Sequence, residues 1–322
     1  MHRKKLPALL GWLGKLLSLF IVLFIVLAFL VVTIYKYKPV FGVTYQAAIV
    51  KKYDVLREVE SPKVILCGDS SLAFGADSDL MTELLGQPVV NMGLHAGMGY
   101  FQVNLVKDEI RPGDTVVLTL AYNLWYKNIQ DPALIVTGLE SRPELFRYVD
   151  SRYYGDMIRY FPTYLTKKLD ILSGESELEV GGAYCNEAFD GDRLIPYRSS
   201  ALPDDVDSEA YLINVTRNGK LDPEIIKSVN ELNNHCIDRG AELLISFPPL
   251  PASCAMPKWQ QIYNFVGQLK NELDAPIISE PQSFFLNDEY FFDTVYHCTT
   301  EGERIRSTVL CEDILNYKNQ NK

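Results

Sequence analysis

The chain has six cysteines but no CxxC pair, and cysteine and histidine never cluster at the spacing of a zinc or iron–sulfur site. Chemistry without a metal or organic cofactor is therefore the expectation. Positive charge is in deficit as well: 31 Lys and Arg stand against 41 Asp and Glu, a formal net charge of −10. A nucleic-acid binder would show a basic face, so no nucleic-acid partner is expected. No internal repeat and no low-complexity tract is present. The even cysteine count permits disulfides, but the spacings assign no pair. Cys67 lies in a strand pattern and reads as a small buried apolar residue.

What is there begins with a single long apolar run. Residues 16–35, LLSLFIVLFIVLAFLVVTIY, carry no charge. A helix of that length, at about 1.5 Å per residue, reaches roughly 30 Å, the thickness of a bilayer's hydrocarbon core. A secretory signal has an apolar region of about 7–15 residues and a small-x-small cleavage site. Here the run is longer, and Tyr35-Lys36-Tyr37-Lys38-Pro39 makes an interfacial anchor rather than a cleavage site. The run reads as an uncleaved membrane span, with the lipid bilayer as a partner. Arg3, Lys4, Lys5 and Lys15 precede it, and Lys36, Lys38, Lys51 and Lys52 follow it. That near tie is tipped by the short basic tail toward a cytoplasmic N-terminus and an extracytoplasmic domain.

Beyond the span, residues 1–38 give way to a linker at 39–62 and a domain at 63–322, with an insertion at about 127–221. KVILCGDS, PVVNMGL, TVVLTLAYN, AELLISFPPL and APIIS read as strands, with helical patterns between them. The strands are apolar runs rather than alternations, as when helices cover both faces of a parallel sheet. This predicts an α/β fold, a flavodoxin-like three-layer sandwich around a central parallel sheet of about five strands. The insertion follows the third strand, near the carboxyl edge where ligands bind in such folds.

Four stretches fall where strands end: GDSS with Ser70, NMGLHAGMG from Asn91 to Gly99, LAYNLWY with Asn123, and DTVYHCTTEG with Asp293 and His297. Carboxyl ends of parallel strands open on one edge, so these loops can converge. Their chemistry is complementary. A serine needs a base to become a nucleophile, and an imidazole needs a carboxylate to fix its tautomer. The tetrahedral intermediate needs donors for its oxyanion. Ser70, His297, Asp293, a backbone N–H near Gly97 and the Asn123 amide supply one of each.

In these blocks and their order, over roughly residues 63–320, the chain resembles the SGNH (GDSL-type) hydrolase superfamily. The resemblance implies Ser70 as nucleophile and oxyanion donor through its own N–H, Gly97 and Asn123 as further donors, and His297 with Asp293 completing a triad. GDSSLAFGADS looks most like the first block of the membrane-tethered branch found in bacterial cell envelopes. Members act as O-acetylesterases, O-acyltransferases or accessory proteins of envelope-polymer decoration. The resemblance therefore implies a serine esterase acting on O-acyl, chiefly O-acetyl, groups of envelope glycans, or on a small ester. Two alternatives stand beside it: an O-acyltransferase served by a multi-span membrane acyltransferase, and a non-catalytic assembly protein that keeps the fold. Two departures bear on the site. Asp293 and His297 are separated by three residues where the family has two, which leaves a Ser–His dyad open. The spacing from Asn91 to Gly97 is one residue longer than in many relatives, which leaves Ala96 as the alternative donor.

Blander roles are assigned to the neighbours. Ser71 is expected to cap the following backbone and His95 to form a pocket wall. Thr300 and Glu303 have capping-box spacing and are expected to start the last helix and set where His297 points. The aromatic-rich stretch FRYVDSRYYGDMIRYFPTYL reads either as a carbohydrate-stacking lid or as an amphipathic lid core.

Overall fold

The computed structural model describes residues 5–204, 206 and 208–321; Arg3 and Lys4, counted above in the charge balance, lie outside them. Helix α1 (Lys5–Lys36) carries the apolar run, and most of its large side chains from Trp12 to Val32 are exposed. It is long and apolar enough to cross a membrane. Helix α2 (Ala48–Glu58) follows. The segment set apart above as a linker belongs to the core: Phe41, Tyr45, Ile49, Tyr53 and Leu56 are buried in the same cluster as the sheet.

The first half of the domain alternates β1 (Val64–Gly68), α3 (Ser70–Ala73), α4 (Ser78–Leu85), β2 (Val89–Asn91), α5 (Phe101–Lys107) and β3 (Thr115–Thr119). The insertion contributes α6 (Pro132–Gly138), α7 (Tyr154–Ser173), a small hairpin of β4 (Phe189–Asp190) with β5 (Arg193–Leu194), and α8 (Ser208–Thr216). Then come α9 (Pro223–Asp238), β6 (Glu242–Ser246), α10 (Ala252–Ala255), α11 (Trp259–Glu272) and α12 (Thr300–Gln320).

The central sheet is parallel with order β2-β1-β3-β6, Val64 pairing with both Val89 and Thr115, and Thr115 with Glu242. Every residue of β1 and β3 is buried, so both faces are covered. This is the flavodoxin-like order. The expected fifth strand, APIIS, is reduced to a single parallel bridge between Ile245 and Ile277. Pro276 has no N–H to extend the ladder, which confines the segment to an edge.

Helix ends follow their sequence signals in most places. Asp77 caps α4, which stops at Gly86 with φ +65°, and Asp222 caps α9 ahead of Pro223. The start of α12 differs from expectation. Thr299, not Thr300, is the N-cap, accepting from the Gly302 N–H at 3.1 Å. Thr300 instead accepts from the Arg198 N–H at 3.0 Å, and Glu303 turns into a buried ion pair with Arg198 at 2.5 Å. Partners from the insertion, invisible to local spacing, displace the capping box.

One buried ionic cluster fixes the end of α1. The Lys168 ammonium on α7 donates to the Tyr35 and Tyr37 carbonyls at 2.9 and 3.1 Å and to Glu140 at 2.8 Å. The other Glu140 oxygen accepts the N–H groups of Val40 and Phe41 at 2.7 and 2.8 Å, and the Tyr164 hydroxyl donates to the first at 2.8 Å. Both charged side chains are essentially solvent-free. The carbonyls that α1 would leave unpaired at its C-terminus are thus taken up by a cation from the insertion.

Candidate active site

Strand β1 ends where it must run close to its neighbour: a Cβ on Gly68 would fall 1.9 Å from the Thr119 carbonyl oxygen. The next residue, Asp69, is buried, and its carboxylate accepts the Ser71 N–H at 2.8 Å and the Ala121 N–H at 2.6 Å. It caps α3 and ties the turn after β1 to the turn after β3. Burial pushes the Asp69 carboxyl up, and the bonds from Ala121 and Ser71 oppose it.

Ser70 opens α3, and its Oγ lies 2.9 Å from His297 Nε2. His297 Nδ1 lies 2.8 Å from Asp293 Oδ1. The longer Asp–His spacing is absorbed by a tight loop: the Phe292 N–H donates to the His297 carbonyl at 2.7 Å, and Phe291 bridges Cys298. Phe74, at the end of α3, stacks on the imidazole with centroids 4.1 Å apart and planes 10° apart. One short helix thus supplies both the hydroxyl and the surface that sets the plane of the ring facing it.

Tyr184, from the insertion, donates its hydroxyl to Asp293 Oδ2, and that hydroxyl lies 3.1 Å from His297 Nδ1. Burial alone would raise the Asp293 carboxyl, but the bonds from His297 and Tyr184 outweigh it and hold it below the usual carboxylate value. An ionised Asp293 accepts from Nδ1–H, and Nε2 is left to accept the Ser70 proton. Tyr184 is itself held by the chain just after α1. Cys185 bridges Thr44, the Asn186 amide donates to the Gly42 carbonyl at 2.8 Å, and the Tyr45 ring lies 5.6 Å from that of Tyr184.

The expected oxyanion donors are placed as follows. The Gly97 N–H donates to His95 Nδ1 at 2.9 Å. The Ala96 N–H, the alternative, has no acceptor among the described residues. The Ser70 N–H, at the first position of a helix, has no intrahelical acceptor. Asn123 lies in the turn Tyr122–Trp125 after β3, two residues beyond the one bonded to Asp69, and its buried Oδ1 has no hydrogen-bond partner among the described residues. His95 is clamped to Gln102 through its own backbone, and burial, then the nearby His297, lowers its pKa. His95 Nδ1 is occupied as an acceptor from Gly97, and among the described residues no hydrogen bond joins His95 to Ser70.

The two adjacent hydroxyls have separate fates. Ser70 faces the imidazole, whereas the Ser71 hydroxyl is buried with no hydrogen-bond partner of good geometry among the described residues; Asp69 performs the capping. The aromatic-rich stretch also departs from the lid readings. Its Phe161 and Tyr164 pack on Tyr35, beside the end of α1. The insertion reaches the site through Tyr184 and Arg198 instead. Arg198 donates to the carbonyl of Cys298, next to His297, at 3.3 Å, and its guanidinium lies 5.6 Å from the Phe74 ring. Its partner Glu303 is pushed up to about 7 by burial, with Arg198 opposing.

Tyr184, Arg198, Asp69 and Phe74 were not singled out by sequence. Only Asp69 and Phe74 carried any signal, as neighbours of Ser70. All six cysteines are unpaired. Among the described residues, no three His, Cys, Asp or Glu side chains are grouped to hold a metal ion. No family model matches the chain, and no curated protein matches it. Solved structures do. One is protein YxiM from Bacillus subtilis, with 13% identity over 81% of this chain and a TM-score of 0.39. Another is a family two carbohydrate esterase from Clostridium thermocellum in complex with cellohexaose, with 8% identity over 81% of this chain and a TM-score of 0.34. This chain is similar to 58% of the first structure's length and 66% of the second's, less than two thirds of either.

Proposed function

We propose that this chain is a serine esterase that removes O-acyl, chiefly O-acetyl, groups from cell-envelope glycans, anchored by α1 with its domain outside the cytoplasm. The observation that carries the chemistry is the hydrogen-bonded line from Ser70 through His297 to Asp293, at 2.9 and 2.8 Å. The glycan class and the topology rest on the sequence resemblance and on the apolar run.

The geometry supports the following steps. Ser70 Oγ bonds to the ester carbonyl carbon as its proton passes to His297 Nε2, and the carbonyl π pair moves onto oxygen. Asp293 stabilises the imidazolium. The N–H groups of Ser70 and Ala96 and the Asn123 amide receive the oxyanion. Collapse breaks the bond to the sugar oxygen, which takes the proton from Nε2, and the acyl group stays on Ser70. Water then gives a proton to His297 Nε2 and attacks the acyl carbon; collapse breaks the bond to Ser70 Oγ, which takes that proton back, and the acid leaves. A sugar hydroxyl in place of that water gives the transferase reaction from the same acyl-enzyme.

The test uses the full chain purified in detergent. A fluorophosphonate should label it covalently, and it should cleave a short-chain aryl ester. Ser70→Ala abolishes both, and Ser71→Ala keeps labelling. A folded wild-type protein that neither labels nor turns over an acyl ester would establish the non-catalytic reading instead.

A further inference from the structure

Helix α7 has three distinct sides. Met157, Tyr164 and Lys168 are buried against the protein, while Arg159, Thr166 and Lys167 face solvent. Between them runs an apolar stripe at helical spacing: Tyr154, Ile158, Pro162, Leu165 and Leu169. Tyr154, Ile158 and Leu169 stand out in this stripe, and Ile158 is 72% exposed. The stripe borders an apolar groove of about 500 Å³ lined by Tyr35, Phe146, Met157, Ile158, Phe161 and Pro162. An uncovered apolar surface of this kind marks an interaction site.

Three observations identify what covers it. The groove includes Tyr35, where the apolar run of α1 ends, so it sits at the level where a spanning α1 leaves the hydrocarbon. It is tied to the end of α1, because Lys168 grips the Tyr35 and Tyr37 carbonyls and Glu140 grips the Val40 and Phe41 amides. Exposed Lys36, Tyr37 and Lys38 follow Tyr35 in the chain, the cations and phenol ring that suit a headgroup layer.

We propose that the outer face of α7 lies in the headgroup–acyl boundary of the bilayer that α1 crosses, with phospholipid acyl chains entering the groove beside Tyr35. A helix with one apolar stripe and a polar opposite side is suited to lie in the interface plane. This inference rests on the membrane-span reading of α1, and the experiment separates the two.

The full chain is reconstituted into vesicles containing a phospholipid with a diazirine in its acyl chain, irradiated, digested and mapped by mass spectrometry. Adducts are expected on α1 and on α7 peptides covering residues 154–169. Ile237, Trp259 and Tyr263, exposed by 61%, 48% and 55% but not tied to α1, should stay unlabelled. Ile158→Asn should lower the α7 adduct several-fold and leave the α1 adduct unchanged. Label on α1 with none on α7, or α7 label no greater than at Ile237 and Tyr263, overturns the proposal and leaves the face to a membrane-protein partner. Absence of label from both helices overturns the span and the proposal together.

Discussion

Replacing Tyr184 by Phe removes one hydroxyl and keeps the ring that packs at 5.4 Å from Phe74 and 5.6 Å from Tyr45. What is lost is one of the two side-chain donors to Asp293. A hydrogen bond to a charged group contributes about 1.5–3 kcal/mol. The Asp293 side chain is 29% exposed, so water replaces part of the lost bond and the lower end applies. A deficit of about 1.4 kcal/mol is tenfold in rate, so kcat should fall by about that factor with KM unchanged. The sign of the pH effect follows from the depressed Asp293 pKa, an interaction present at higher pH and lost as pH falls through the folded value. Losing a donor raises that value, so activity in Tyr184→Phe should begin to fail at a higher pH than in the wild type. The assay is the pH dependence of kcat and KM on an acetyl ester, with the rate of fluorophosphonate labelling as a check on Ser70. An unchanged kcat and pH profile would make the hydroxyl a bystander. A fall in Tm with an unmoved pH profile would make it a packing residue only.

Asp293→Asn should lower kcat on the order of 10³–10⁴, because the amide holds the wrong imidazole tautomer; a loss of only a few-fold in the same assay would establish a Ser–His dyad. Asn123→Ala should cost about 10²–10³ in kcat while Ser70 still labels, and wild-type turnover would remove Asn123 from the oxyanion site. Glu140→Ala leaves the Lys168 ammonium buried without its carboxylate, so thermal or denaturant unfolding should report a loss of about 3–5 kcal/mol. Stability within about 0.5 kcal/mol of wild type would contradict the closed ionic cluster around the end of α1.

The parallel sheet, and the turns after β1 and β3 that carry Ser70 and Asn123, were readable because each lies at a boundary between an apolar run and a turn. Such boundaries are local features of a sequence. Tyr184 has no such mark: it sits in an irregular stretch, 109 residues from the carboxylate it touches. Arg198 is equally silent, yet it redirects Glu303 and with it the start of α12. Thr299 and Thr300 carry the same hydroxyl, and only the backbone decides which one caps. The fifth strand was legible as an apolar segment but not as a bridge, because Pro276 limits the pairing through a missing donor rather than through hydropathy.

The clamp of Glu140 and Lys168 on residues 35–41 has a consequence for reach. A domain on a flexible tether sweeps a volume above its membrane and meets polymers of any length. Here Lys168 and Glu140 tie the end of α1 to the domain, and the chain that follows, at residues 42–45, is built into the support of Tyr184. On the proposed function, Ser70 would therefore be carried at one height. On that reading, with α1 in a bilayer, distance from the lipid surface would become a selection rule: an ester would be a substrate only where its polymer brings it to that height.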